Sequence, residues 1–455
     1  MKKVITYGTF DLLHYGHIRL LSRAKALGDY LIVGITSEDF DKARGKINVV
    51  QSLSERMEAV KALGIADEVL VEEYEGQKID DIRRYGVDIF AIGSDWRGKF
   101  DYLRQYCEVV YLDRTEGISS SELRSRDRLV LGLVGASTNV DKIAREAGFV
   151  NGLEIGRNIT DERDYDDLLR DSDAVYIYAK PERHYVLVKK ALESGVHVLC
   201  ETPLSMKKAD CAELFALAGK SGLVLMEALK TAFSTAYARL VLLLKSGKIG
   251  EIVSVDSACT SMEELSGVSG ENLSGKWNSI SDWGPIGMLP VFQLLGPDYL
   301  EKRITSRMHE EVPGFDLFSK IDFTYSRAVA SVRVGKGVKT EGELIVTGTK
   351  GYAYVPAPWW KTDFFEIRYE NPAENQRYFY QLEGEGIRNM LADFLRAATH
   401  KTPNTRVEPE VTAAIAGVIG DFCEGKDLVI LGSGRERPEK SPAGSLPGGS
   451  GGEGL

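Results

Sequence analysis

The chain has 455 residues, too many for one ordinary hydrophobic core, so two or three domains are expected. Hydrophobic residues make up 43% and charged residues 27%, the balance of a soluble globular protein, and the net charge of −10 argues against a general nucleic-acid binder, which carries a basic face. No apolar run approaches the roughly 20 residues that span a bilayer, and the opening MKKVITYGTFD sets only a short apolar strand behind two lysines, which is no secretory signal. The cysteines (Cys107, Cys200, Cys211, Cys259 and Cys423) are scattered without CxxC spacing, which points to a reducing cytoplasm and away from a zinc site.

In chain order, residues 1–126 alternate apolar strands (3–6, 30–36, 68–71, 89–92 and 108–112) with helical patterns such as 17–27 and 54–63. That alternation predicts an α/β domain with a parallel sheet covered on both faces. A charged break at 124–128 leads into a second alternation, with strands expected at 129–134, 153–156, 174–178, 197–200 and 223–226, and a domain over 127–248. From about Gly250 the strands lengthen (252–258, 321–325, 328–334 and 343–347), predicting an α/β domain over 249–431 with a mostly antiparallel, open sheet. The tail, 432–455, is Gly, Ser, Pro and charge; it buries too little apolar area to order itself and is expected to be disordered.

The first strand runs into Thr9-Phe10-Asp11-Leu12-Leu13-His14-Tyr15-Gly16-His17. Two histidines three apart at the start of a helix face one side, where backbone amides and the helix dipole favour anions. Such a site suits in-line attack on the α-phosphorus of a nucleoside triphosphate, which needs charge-stabilising groups more than a nucleophile. A second segment, Arg114-Thr115-Glu116-Gly117-Ile118-Ser119-Ser120-Ser121, closes the same region.

The stretches GTFDLLHYGH, GSDWRGKFD and CEVVYLDRTEGISSSELR resemble the glycerol-3-phosphate cytidylyltransferases, within the superfamily marked by HxGH, over essentially all of residues 1–126. The resemblance implies a Rossmann-like nucleotidyltransferase domain that joins CTP to a polyol phosphate, most simply sn-glycerol 3-phosphate, with Mg2+. It implies a homodimer, and a product, CDP-glycerol, that feeds teichoic-acid-like or capsular polymers. Carried over by motif, His14, His17, Lys46 and Arg114 are the expected catalytic residues. Thr9, Phe10, Asp11, Asp95, Thr115, Ser119 and Ser120 are expected to bind the nucleotide, and Arg44, Arg56, Lys78 and Trp96 the substrate. The residues that hold the metal are not assigned. The choice of cytosine rests on the resemblance alone.

Residues 129–431, through DAVYIYAKPERHYVLVKKALESGVHVLCETPLS above all, resemble the family of glucose-fructose oxidoreductase, inositol dehydrogenase and rhizopine-catabolism proteins. That implies a dinucleotide-binding-type Rossmann domain followed by an α/β domain with an open sheet. Gly132 and Gly135 are present, but Ser137 stands where the second glycine of G-x-G-x-x-G belongs. A helix and a strand are contracted after the second strand, leaving Glu154 or Arg157 as ribose or 2′-phosphate partner. The E-K-P motif reads Glu201-Thr202-Pro203, and D-x-G-x-H reads Asp282-Trp283-Gly284-Pro285-Ile286. Threonine supplies neither the charge nor the proton that hydride transfer at a carbonyl needs. Two readings stay open. One is a redesigned NAD(P)-dependent reductase using Asp282, Lys230 or His184, with Gly132, Gly135, Arg157 and Glu201 at the cofactor, which makes the polyol phosphate from a keto-sugar phosphate. The other is a non-catalytic oligomerisation or partner-binding module. The Trp359-Trp360 pair is expected to pack on the sheet.

Overall fold

A computed structural model describes residues 1–13, 15–37, 40, 49, 51–74, 76–113, 128–263, 278–380, 382, 384–400 and 406–432. Residues 124–127 of the charged break and nearly all of the tail lie outside the described residues.

The first unit runs β1 (Lys3–Gly8), α1 (Tyr15–Lys25), β2 (Tyr30–Thr36), α2 (Leu53–Ala62), β3 (Glu68–Glu72), α3 (Gln77–Tyr85), β4 (Ile89–Gly93) and β5 (Glu108–Leu112). Its five strands pair in parallel in the order β3-β2-β1-β4-β5. The centre of β1 and β2 is buried throughout, as near-continuous apolar runs covered on both faces must be. Strand order reverses between β1 and β4, so a crevice opens at their carboxyl ends, where open α/β sheets hold ligands. Helix α2 starts sharply because Ser52 and Glu55 form a reciprocal capping box.

The second unit runs β6 (Leu129–Val134), α4 (Thr138–Ala147), β7 (Leu153–Ile159), α5 (Tyr165–Arg170), β8 (Ala174–Ile177), α6 (Pro181–Glu193), β9 (His197–Cys200), α7 (Lys208–Ser221), β10 (Leu225–Glu227) and α8 (Thr235–Lys245). Its parallel sheet has the order β10-β9-β8-β6-β7. Strand β7 is therefore an edge strand, and the chain returns through α5 directly to β8, with no further strand outside it. The contraction read in the sequence is this missing crossover.

The third unit adds β11 (Ile252–Thr260), α9 (Ser279–Asp282), α10 (Gly284–Leu295), β12 (Glu301–Met308), β13 (Asp316–Thr324), β14 (Val329–Gly335), β15 (Leu344–Gly348), β16 (Tyr352–Val355), β17 (Phe364–Arg368), β18 (Gln376–Phe379), α11 (Ile387–His400), α12 (Pro409–Cys423) and β19 (Leu428–Ile430). The sheet order is β18-β17-β16-β15-β11-β14-β13-β12-β19, antiparallel except at β11·β14 and β12·β19. One apolar core runs from Leu131 and Tyr176 of the second unit through Phe233 to Val332, Trp359 and Phe365 of the third. Trp359 is fully buried in it, as expected, whereas Trp360 is only partly covered.

Gly135 ends β6 at φ 103°, a conformation that side chains avoid, and a Cβ there would stand 2.2 Å from the Tyr178 carbonyl oxygen after β8. Gly135→Ala is therefore expected to destabilise the C-terminal units by about 1–3 kcal/mol. The check is the denaturant midpoint of their transition; an unchanged midpoint would show that the turn relaxes freely.

Candidate active site

The loop that follows β1 carries the first motif, and its backbone is held from several sides. Phe10 (φ 52°) and Leu12 (φ 47°) both adopt the left-handed region, which side chains enter only when surroundings compel it. Phe10 is buried, its ring 5.4 Å from that of His17 in an edge-on contact. Asp11 is buried as well, and its Oδ1 accepts the Gln51 amide at 2.9 Å. The Leu12 amide donates to Gln51 Oε1 at 2.7 Å. Beneath the loop the fully buried Arg56 donates from Nη1 to the carbonyls of Thr9 (2.7 Å) and Thr36 (2.9 Å), and from Nε to that of Gln51 (3.1 Å). Arg56, expected at the substrate, thus binds three backbone carbonyls at the ends of β1 and β2 and before α2.

His17 is the third residue of α1, in the first turn where amides lack helical partners. Asp95 and Trp96 follow β4 in a short 3-10 turn, Asp95 exposed and Trp96 packed 5.7 Å from Phe100, with Lys99 over its indole. Thr9, Phe10, Asp11, Asp95 and Trp96 therefore stand at the carboxyl ends of the adjacent strands β1 and β4. Lys78 lies to one side. It is buried, ion-paired with Glu72 and 4.6 Å from the centre of the Tyr7 ring. Tyr7 donates to Asp81 at 2.7 Å, and burial, then that carboxylate, push its phenol well above the usual range. His14, Arg44, Lys46, Arg114, Thr115, Ser119 and Ser120 lie outside the described residues.

Gln51 was not singled out from sequence. The signal was the capping box beginning one residue later, which fixes where the chain enters α2 and so where Gln51 meets the loop. Among the described residues no three His, Cys, Asp or Glu side chains group as a metal cage. A magnesium ion that keeps its waters and is carried on phosphates needs only one or two carboxylates; those at the ends of β1 and β4 are the buried Asp11 and the exposed Asp95.

The second unit departs from a dinucleotide site in its backbone as well as its motif. Ser137 caps α4, its hydroxyl accepting the Val140 amide at 3.3 Å, so an N-terminal donor that would face a pyrophosphate is already engaged. Val140 itself, in the third glycine's place, is buried in the core. Gly132 is shaped by packing, since a Cβ there would lie 2.5 Å from Ser172 Oγ. Glu154 and Arg157 are exposed on the edge strand, Glu154 paired with Arg128. The second and third glycine positions therefore depart from the dinucleotide motif.

A cavity of about 240 Å³ nevertheless opens between the second and third units, lined by Thr202, Glu201, Lys230, Asp282, Ile286 and Trp360 among others. Glu201 accepts from the Tyr176 hydroxyl at 2.6 Å and the Thr202 amide at 3.0 Å, while burial raises its pKa. Asp282 pairs with Lys336 at 2.7 Å. His184 does not line this space: it is fully buried, with ring nitrogens 2.7 Å from the Pro203 and 2.9 Å from the Ala179 carbonyl oxygens. Burial lowers its pKa.

Two family models match the chain: one described as cytidylyltransferase-like over residues 5–126, and one described as oxidoreductase family, NAD-binding Rossmann fold, over residues 137–229. The glycerol-3-phosphate cytidylyltransferase of Bacillus spizizenii is 51% identical over 124 residues, covering 27% of this chain and 95% of the relative. That of Staphylococcus aureus is 47% identical over 124 residues, covering 27% of this chain and 93% of the relative. Among solved structures, KijD10, a 3-ketoreductase from Actinomadura kijaniata in complex with NADP and TDP-benzene, matches with a TM-score of 0.56 at 18% identity, covering 67% of this chain and 99% of that one. At that identity the likeness speaks for the fold. With the strand-end crevice, the HxGH helix and this identity together, the chain belongs through its first unit to the glycerol-3-phosphate cytidylyltransferase family, a nucleotidyltransferase joined to an oxidoreductase domain of the Gfo/Idh/MocA type.

Proposed function

We propose that this chain transfers CMP from CTP to sn-glycerol 3-phosphate, giving CDP-glycerol and pyrophosphate. The observation that carries the reading is 51% identity across nearly the whole of a glycerol-3-phosphate cytidylyltransferase, over the segment that builds the β1–β4 crevice. A phosphate oxygen of the acceptor attacks the α-phosphorus, the bond to the β-phosphate breaks, and charge gathers on the departing pyrophosphate. His17, in the first turn of α1, stabilises that charge, with His14, Lys46, Arg114, Thr115, Ser119 and Ser120 assigned to the phosphates by resemblance. A bound magnesium ion would supply Lewis-acid charge neutralisation there. Asp11 and Asp95 are the carboxylates that would hold it. Arg56 and Gln51 hold the Thr9–Leu12 loop, with Phe10 and Leu12 in the left-handed region, so they position the loop and do not touch the reacting atoms. A homodimer in the cytoplasm belongs to the same reading.

For the C-terminal half we favour a role without hydride transfer. Thr202 and Ile286 replace the proton-bearing side chains, Ser137 occupies the α4 amide, and His184 is sealed away from the cavity.

The first test is pyrophosphate release with CTP, ATP, GTP or UTP, each with glycerol 3-phosphate or ribitol 5-phosphate, with and without NADPH. CTP with glycerol 3-phosphate should suffice, NADPH adding nothing. Equal rates with ATP would remove the base assignment, a preference for ribitol 5-phosphate the acceptor. Release that requires a keto-sugar phosphate with NADPH would restore the reductase reading.

His17→Ala should lower kcat by about two powers of ten or more, as loss of a transition-state donor does. Near-normal turnover would sink that role.

Gln51→Ala frees the Leu12 amide and should lower kcat/KM for CTP about tenfold with a stability loss of only about 1 kcal/mol. Gln51→Glu, which keeps the acceptor, should restore turnover; a stability loss with unchanged turnover would make Gln51 merely structural.

A further inference from the structure

The seam where α12 of the third unit packs on the second carries a deeply buried carboxyl. Ala413 and Ala416 of α12 lie in the same apolar cluster as Leu204, Cys211 and Leu214. The backbones come close: a Cβ on Gly420 of α12 would stand 2.5 Å from the Met206 carbonyl oxygen. Into this seam Glu227, the last residue of β10, sends its side chain. Its Oε1 accepts the Leu204 amide at 2.9 Å, and its Oε2 accepts the Thr412 hydroxyl at 2.8 Å. One carboxyl therefore joins β10, the segment after β9 and the start of α12.

The groups that face Glu227 are neutral or acidic. They are Cys200 of β9 and Glu201 after it, Cys211 of α7, the Leu204 amide and the Thr412 hydroxyl. Among the described residues no lysine or arginine pairs with it. Farther out, a ring nitrogen of His184 on α6 lies 2.7 Å from the Pro203 carbonyl oxygen, and Asp210 of α7 accepts from the Ser205 hydroxyl at 2.9 Å. Lys207 and Lys208 at the start of α7, and Glu408 and Glu410 at the start of α12, are exposed. A neutral acid satisfies both contacts, its O–H donating to the Thr412 oxygen while its other oxygen keeps the Leu204 amide. A carboxylate there has only two neutral donors, and with α12 so close to the segment it gains hydration when the two part. Burial accordingly outweighs the two hydrogen bonds and raises the Glu227 pKa to about 7. An ordinary carboxyl titrates near 4.5, so the packed seam keeps its proton over a range where an opened one has lost it. Closure is favoured most below about 4.5, weakens as pH rises, and has lost this contribution above about 7.

We propose that this seam is a proton-operated latch, closed by Glu227 as a neutral acid and loosened when that side chain ionises. The segment it holds continues from Glu201 and Thr202, so the latch carries a change of pH to the boundary between the second and third units. It stands independently of the cytidylyl-transfer reading.

The test is hydrogen–deuterium exchange of the full chain from mildly acidic to mildly alkaline pH, each amide corrected for its intrinsic exchange rate. Protection of Val411–Val418 in α12 and of Leu204–Met206 should fall tenfold or more from about pH 5.5 to about 7.5, then level off. Glu227→Gln, which mimics the neutral acid, should remove that fall and leave the seam better protected than in the unaltered chain at about pH 8. Glu201→Gln should keep the fall. Thr412→Val, which takes a hydrogen bond from the carboxylate, should extend the fall to higher pH. A flat response in the unaltered chain would overturn the proposal, as would an endpoint unmoved in Thr412→Val. So would a Glu227→Gln variant that keeps the slope, or one less protected than the unaltered chain in alkaline buffer. Loss of the slope in Glu201→Gln alone would hand the proton to that neighbouring acid and equally overturn it.

Discussion

A guanidinium with no exposed surface lies beneath the first motif, and the crevice above it depends on where that charge is placed. Removing Arg56 from water is costly, and carbonyls at Thr9, Thr36 and Gln51 offset part of that cost by accepting from its Nη1 and Nε. Those three carbonyls belong to the ends of β1 and β2 and to the approach to α2, so one side chain ties together the elements that border the site. The tie also accounts for two non-glycine residues with positive φ in succession but one. Phe10 and Leu12 are held there because Arg56 fixes the residue before them, Gln51 fixes Asp11 and Leu12, and the Phe10 ring is buried against His17. Strain of this kind persists only when the surroundings over-determine it, and it leaves the loop little freedom to rearrange as a triphosphate arrives.

A second buried network braces the neighbouring edge. Lys78 pairs with Glu72, which also accepts from Thr36 at 3.1 Å, while Tyr7 and Gln77 both donate to Asp81. Thr36 is therefore shared, its carbonyl bound by Arg56 and its hydroxyl by Glu72. The two networks meet on one residue at the end of β2, so a change in either reaches the other through a single strand end. Buried polar groups connected in this way rigidify a site when all are satisfied and weaken it sharply when one is lost.

The strand alternation of the first two units was legible because parallel strands buried on both faces read as apolar runs, and the strand ends moved by three residues at most. The third unit was less so. Strands β12, β16, β17, β18 and β19 passed unnoticed because they carry many charged or aromatic residues on one face, as in EKRITSRM and QRYF, or are only three residues long. At the site, Thr9, Phe10, Asp11, His17, Asp95 and Trp96 could be placed from sequence because strand-to-helix turns put them at strand ends. Burial of Arg56 and Lys78 could not, since both were carried over by motif as substrate residues, while two of the Arg56 partners lie 20 and 47 positions away and Lys78 in α3 turns back onto Glu72 at the end of β3. Glu385, which meets Lys142, Lys230 and Lys361, was invisible because those lysines come from elements up to 243 positions distant.

Net charge sets the crevice of the first unit a problem. A chain at −10 repels phosphorylated ligands at long range, and at physiological salt that repulsion is screened beyond about 8 Å. Capture must then come from cations placed locally and shielded from water, where a charge acts more strongly than on the surface. In the cavity of the second and third units, Lys142, Lys230 and Lys361 stand close together, and like charges so close repel. Glu385 settles that repulsion internally, by a residue whose backbone is strained in the process.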